Sequence, residues 1–346
     1  MTHEIKNVAI AGASGSLGSH ILQAVVKAGR FNVTILTRKV IDNVPSGTAV
    51  KVVDYESASD LASALKGQDA LVDATSVPDP SLAIRLMDAA VSAGVYRIVP
   101  SEFSSDPTNC KGRSLPPFQG KAKALEYVQK LADTGKITWT VISNHAFLDW
   151  GLRMSFFGVD LQNKNIKYLK PGTTVIPMTT LKSVGTAVAN ALIKAENTKN
   201  RICYICSTQK TQKDLTELSK QALGEEDWKS EDVNTEDAFN KAMAKLQAGQ
   251  ADMQVIGDII RFSISTPGYI NRLEKTDNDL LGVKTLSDEE VKKIIRRSYE
   301  FKRPHAGACY LTIGPLYFWS GDSGSYLAHR LTKAALTHGL YSILSS

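Results

Sequence analysis

Gly12, Gly15 and Gly18, spaced G-x-x-G-x-x-G, stand between an apolar run, Asn7-Val8-Ala9-Ile10-Ala11, and the one-sided apolar stretch Ser19-His20-Ile21-Leu22-Gln23-Ala24-Val25-Val26. That context suits a main-chain cradle for an anion. Gly12 allows a tight turn, Gly15 lets the backbone approach a pyrophosphate, and Gly18 allows close helix–strand contact. The helix that follows presents free N–H groups and a partial positive charge, with Ser14, Ser16 and Leu17 completing the loop. A strand–helix turn without a ligand is the alternative. About twenty residues beyond such a loop, a site for an unphosphorylated ribose carries a carboxylate. Here Thr37-Arg38-Lys39 occupies that stretch, with no acid until Asp42. A guanidinium grips a phosphate as a fork, whereas a carboxylate repels it. Arg38, assisted by Lys39, therefore predicts a 2′-phosphate and NADP(H) as the cofactor; a solvated surface pair is the competing explanation. Topology alone places Asp54 near the adenine and Thr75 and Ser76 on the nicotinamide side.

Proton-handling groups are harder to find. None of the eleven tyrosines has a lysine four residues later, so the Tyr-x-x-x-Lys dyad of most short-chain dehydrogenases is absent. Lys121-Ala122-Lys123 opens a helical pattern. A lysine at a helix N-terminus facing a desolvated crevice has its pKa pushed down, which suits a proton shuttle; a solvated surface lysine is the alternative. Cys203-x-x-Cys206 sits in a strand-like run with no second ligand pair, so it reads as core cysteines. The six histidines form no metal constellation.

The elements that must position these residues follow the signature of an α/β doubly wound parallel sheet. Apolar runs at 7–11, 32–37, 49–53, 70–74, 96–100 and 138–143 predict strands. Helical patterns at 16–28, 58–65, 81–93 and 121–132 lie between them. A Rossmann domain over residues 1–155 is expected, with 180–207 returning to it. Residues 156–346 make a smaller, mostly helical substrate-binding region. There, helices are expected at 180–196, 211–223, 235–247, 287–299 and 325–340, with a strand at 202–207. A net charge of +6 spread over 346 residues argues against a nucleic-acid stripe, and no apolar run approaches a membrane span. The N-terminus lacks a signal-peptide core, so a cytoplasmic protein is expected, a monomer or homodimer with no nucleic-acid or membrane partner.

Three segments carry a resemblance. Pro100-Ser101-Glu102-Phe103 follows the fifth strand, Lys121-Ala122-Lys123 begins a helix, and Trp139 to Phe147 reads Trp-Thr-Val-Ile-Ser-Asn-His-Ala-Phe. With the glycine loop, residues 5–150 resemble the NmrA-like superfamily of atypical short-chain dehydrogenase/reductases. Within it they resemble the isoflavone reductase and phenylcoumaran benzylic ether reductase group. The resemblance implies an NADPH-dependent reductase of a small aromatic substrate, isoflavonoid-, phenylpropanoid- or polyketide-like. It puts the family's proton-transfer lysine on Lys121, in the register that keeps Ala124, Tyr127 and Val128 on apolar positions; Lys123 is second choice. Ser101, Phe103, Lys121, Asn144 and Phe147 then count as cofactor contacts, and Phe103, His145 and Phe147 as substrate contacts. Glu102 is expected to order its loop, with orienting a water as the alternative, and a structural histidine is the alternative for His145. Ser104 replaces the family's usual glycine, and Leu125-Glu126 its usual arginine pair, so substrate identity does not carry over. The competing reading is a non-catalytic NADP(H)-sensing regulator of the same superfamily.

Overall fold

The computed structural model describes residues 3–41, 44–75 and 80–301. Ser76 and the helix expected at 325–340 lie outside the described residues. The first half alternates as the apolar runs predict: β1 (Asn7–Ala11), α1 (Ser16–Lys27), β2 (Asn32–Thr37), β3 (Thr48–Val52), α2 (Ala58–Leu65), β4 (Ala70–Asp73), α3 (Ser81–Ser92) and β5 (Arg97–Val99). Then come α4 (Cys110–Ser114), α5 (Pro116–Asp133), β6 (Thr138–Ser143), β7 (Ala146–Phe147) and α6 (Leu148–Arg153). One correction bears on the site. α5 starts at Pro116 rather than at Lys121, because proline, which has no N–H to leave unpaired, suits the first turn. Lys121 therefore sits in the second turn, where a helix terminus contributes little to its charge state.

The second half holds β8 (Val159–Asp160), β9 (Asn165–Leu169), β10 (Ile176–Thr179), α7 (Leu181–Ile193), β11 (Arg201–Tyr204), β12 (Thr208–Lys210) and α8 (Gln212–Leu223). It continues through β13 (Lys229–Val233), α9 (Thr235–Gln247), α10 (Met253–Ser265), α11 (Asn278–Leu281) and α12 (Asp288–Glu300). The Ser-x-x-Glu signal at 287–290 forms a capping box at the start of α12. Besides its helices, this half carries the three-stranded sheet β13-β9-β8 and two strands of a second, β12-β10-β7, whose third strand comes from the first half. β13, Lys-Ser-Glu-Asp-Val, pairs with β9 in parallel; its exposed polar residues carry no apolar period for a sequence reading to detect.

The central seven-stranded sheet runs β11-β6-β5-β4-β1-β2-β3, every neighbouring pair parallel. β11 joins it by pairing with β6, Cys203 opposite Ile142. α7 reaches the same body by crossing α1 at Gly185, where a Cβ would lie 2.4 Å from the His20 carbonyl oxygen. Alternate strand residues divide between two cores. Val8, Ile10 and Val72 face α1 and α7. Ala9, Ala11 and Leu71 face α2, α3 and α5. Asp73 follows Leu71 by two residues and so points to the α3–α5 layer.

Candidate functional site

The glycine loop closes over the carboxyl ends of the strands. Gly12 has φ +76°, and a Cβ there would lie 2.6 Å from the carbonyl carbon and oxygen of Ala74. A Cβ on Gly18 would lie 2.0 Å from the Gly12 carbonyl oxygen, so this residue is fixed as glycine by close approach. Gly15 caps α1 without a side-chain hydrogen bond, so no capping side chain closes off the N-terminus of α1, where Leu17 stands in the first turn. Ser14 is exposed, Ser16 half-buried, and the Leu17 side chain is packed in the core. Ser14, Gly15 and Ser16 form one wall of a cavity of about 240 Å³; Trp150, Arg153 and Leu181 stand across from them. Arg153, held by its Nε to the Asp149 carbonyl at 3.0 Å and paired with the Asp149 carboxylate at 3.7 Å, brings a guanidinium to that cavity. A helix N-terminus, a glycine cradle and a guanidinium together fit the pyrophosphate of a dinucleotide. The sequence analysis singled out neither Trp150 nor Arg153; both follow the Asn144–Phe147 motif by only a few residues, but nothing local says that α6 folds back over the loop.

Arg38 and Lys39 are exposed just past β2, in a turn where the Thr37 hydroxyl donates to the Lys39 carbonyl at 2.9 Å. Arg38 makes no ion pair with a described residue. Beside it lies Tyr55, whose hydroxyl donates to the Leu36 carbonyl at 2.9 Å. Burial, together with the charge of Asp73, pushes that phenol well above its ordinary range, so it stays neutral. Asp54 is exposed, its carboxylate accepting the Glu56 N–H at 2.9 Å.

Past β5 the chain makes a second, smaller crevice, about 30 Å³, lined by Asp73, Thr75, Ser101, Glu102 and Lys121. The Lys121 ammonium donates to the carbonyls of Ser101 and Glu102, both at 2.6 Å. Desolvation pushes its pKa down; Glu102 and Asp73 oppose that and Arg113 adds to it. Lys123, by contrast, is exposed. The Glu102 carboxylate meets Arg113 at 2.7 Å and accepts the Ser104 hydroxyl at 2.5 Å, so its side chain orders the loop after β5. That is also where Ser104 finds its use in place of glycine.

Phe103 (φ +30°) and His145 (φ +56°) both occupy backbone conformations that L-residues seldom adopt, in loops tied together by the His145 N–H to the Ser104 carbonyl at 3.0 Å. His145 is only 4% exposed, and neither ring nitrogen has a hydrogen-bond partner among the described residues. Burial pushes its pKa down to about 4, so the ring is neutral. The Asn144 amide nitrogen donates to the His145 carbonyl at 3.0 Å, while its oxygen lacks a partner among the described residues. Phe103 and Phe147 pack in the core with Leu17, Ile142 and Leu181. Cys203 and Cys206 are buried thiols pushed up to about 11 by burial, and no metal-holding group occurs among the described residues.

The structure thus gathers Ser14, Gly15 and Ser16 at one cavity and Thr75, Ser101 and Lys121 at another. Arg38, Lys39 and Asp54 are exposed and line neither. Residues 4–265 match the NmrA-like family. The chain belongs to that family. This NmrA-like chain is 30% identical over 291 residues to "Oxidoreductase aprR" of Aspergillus flavus, covering 82% of this chain and 96% of that protein. It is 27% identical over 301 residues to "Oxidoreductase poxI" of Penicillium oxalicum, covering 83% and 93%. A crystal structure of isoflavone reductase superposes with a TM-score of 0.66 at 18% identity, covering 85% of this chain and 99% of that one. NADPH-dependent quinone oxidoreductase QOR2 of Escherichia coli, complexed with NADPH, gives 0.62 at 19% identity, covering 84% and 99%. At such identities the solved structures speak for the fold of this NmrA-like protein. No helix among the described residues is long and apolar enough to cross a membrane.

Proposed function

We propose that this chain is an NADPH-dependent reductase of a small aromatic molecule, isoflavonoid-, phenylpropanoid- or polyketide-like, in which Lys121 handles the proton. The observation that carries the reading is the desolvated Lys121 ammonium, fixed by two carbonyls at 2.6 Å in a crevice beyond the carboxyl ends of β4 and β5. The name oxidoreductase on the curated relatives supports its coarser part. A neighbour solved with NADP+ and pinoresinol supports both the cofactor and an aromatic substrate.

In this reading residues 1–155, with 180–207, hold the cofactor, and residues 156–346 build the substrate side. The Gly12–Gly18 loop and the N-terminus of α1 bind the pyrophosphate, with Ser14 and Ser16 at its edge. Arg38 and Lys39 grip the 2′-phosphate, and Asp54 lies by the adenine. Thr75, Ser101 and Asn144 border the nicotinamide half. Phe103 and Phe147 stiffen the floor beneath it, and the unpartnered nitrogens of His145 offer a hydrogen bond to the substrate. When bound, NADPH supplies a hydride from nicotinamide C4. Lys121 gives a proton to the substrate from its ammonium, its position fixed by the Ser101 and Glu102 carbonyls.

The test is NADPH oxidation against a panel of isoflavones, benzylic ethers and quinones, with binding measured separately by cofactor fluorescence. Lys121→Ala should abolish turnover while NADPH still binds. Undiminished turnover in that variant sinks the role of Lys121, and firm NADPH binding without turnover of any panel member by the unmodified protein favours a sensor.

A further inference from the structure

Asp73 closes an otherwise apolar strand, Ala70-Leu71-Val72-Asp73, and is 1% exposed. The Thr75 N–H and hydroxyl hold its Oδ1 at 2.9 and 2.5 Å. Its Oδ2 is enclosed by protein and has no hydrogen-bond partner among the described residues. A carboxylate so buried needs a compensating charge or it reverts to the acid. The crevice it lines also holds Lys121. A hydrogen-bonded path joins the two: the Thr75 hydroxyl to Asp73, the Ser101 hydroxyl to the Thr75 carbonyl, and the Lys121 ammonium to the Ser101 carbonyl.

Two other charges face Lys121, and Glu102, the larger, outweighs Arg113. Glu102 is a negative charge near the ammonium, but Arg113 sits on it at 2.7 Å, and their influences on Lys121 have opposite signs. The remaining titratable neighbour of Asp73 is Tyr55, a neutral phenol, with Arg38 beyond it. Asp73 is then the negative charge left without a cation of its own except Lys121. Two of the three ammonium hydrogens are used by carbonyls, and the third remains for a further acceptor.

We propose that Asp73 is a positioning residue for Lys121: the buried carboxylate is a second countercharge beside Glu102 that helps keep the lysine an ammonium, and hence a proton donor, inside its desolvated crevice. This deepens the reductase reading and rests on it for its meaning, though the coupling itself exists with or without turnover. Desolvation alone drives Lys121 towards the neutral amine, and the Asp73 charge opposes it. In return, Lys121 and the Thr75 bonds restrain the carboxyl, which burial nevertheless raises to about 6. The two groups titrate as a coupled pair.

The coupling can be read without substrate or cofactor. The full chain, labelled with 13C at lysine Cε, reports the charge of each lysine in its chemical shift; loss of one signal in Lys121→Arg assigns the resonance. The main Lys121 step should carry a smaller one near pH 6, where Asp73 titrates. Asp73→Asn preserves an acceptor for Thr75 and should abolish the small step, lowering the main midpoint by about one pH unit. Asp73→Glu, which keeps the charge, should leave the midpoint closer to the unmodified value. An unchanged midpoint in Asp73→Asn overturns the proposal. Should that variant not fold, absence of the smaller step in the unmodified protein overturns it equally. Failure of NADPH oxidation, with the Lys121 shift intact, would count against the reductase reading alone.

Discussion

The Glu102 carboxylate meets the Arg113 guanidinium at 2.7 Å with both side chains buried, 2% and 8% exposed, and this pair fixes the loop whose carbonyls hold Lys121. Removing one partner strands the other's charge in the protein interior. Glu102→Gln should therefore destabilise the fold by roughly 3 kcal/mol, the low end for breaking a buried pair. The double variant Glu102→Gln/Arg113→Met should lose less than the sum of the singles. Denaturant unfolding of the four proteins checks this, and strict additivity would mean that the pair is not coupled.

The glycine cradle has almost no spare volume. A Cβ at residue 18 would sit 2.0 Å from the Gly12 carbonyl oxygen, a backbone atom that cannot swing aside. Gly18→Ala should weaken NADPH binding at least about tenfold, or 1.4 kcal/mol, and lower the melting temperature. A dissociation constant equal to that of the unmodified protein would show that the loop binds no pyrophosphate.

Arg38 is exposed at the end of β2 without an ion pair among the described residues, so its removal should cost the fold little. The cofactor assignment makes its loss selective. Arg38→Ala should raise the dissociation constant for NADPH by about ten- to a hundredfold, the value of a charged hydrogen bond, and change that for NADH far less. Calorimetric titration with both nucleotides decides it; equal losses would refute the 2′-phosphate contact.

His145 and Asp73 impose opposite pH dependences. Burial lowers the His145 pKa to about 4, below the unfolded value of about 6.5, so its contribution is complete above that value. It is lost as pH falls towards 4 and amounts to on the order of 3 kcal/mol. Asp73, raised to about 6, stabilises the fold below the unfolded carboxyl value of about 4 and loses that contribution as pH rises through 6. Between about pH 4 and 6 the two slopes oppose each other. His145→Gln removes one of them, so its stability should fall with rising pH across that window, relative to a flatter unmodified protein. Parallel curves for both proteins would mean that His145 is not held neutral by the fold.

The sequence by itself determined the strand–loop–helix cradle, the parallel sheet it opens and the placing of each apolar run. These rest on local patterns: glycines where backbone must pass backbone, apolar residues on both faces of β1 and β4, and capping boxes such as Ser287–Glu290. Family membership was legible for the same reason, since the Pro100–Phe103 and Asn144–Phe147 motifs are contiguous. Only the tertiary structure decided which charges meet. Arg113 reaches Glu102, Asp73 shares a crevice with Lys121, and Arg153 faces the glycine loop, each through contacts between different elements or loops of the chain. Local propensity carries no record of those meetings. The polar strand β13 went unseen because pairing with β9, rather than any apolar period of its own, makes it a strand. In the sequence Asp73 is one acid within the apolar run 70–74. Its meaning depended on the α3–α5 layer that covers it, because a carboxylate at a strand end acquires a partner, or lacks one, only when the chain is folded around it.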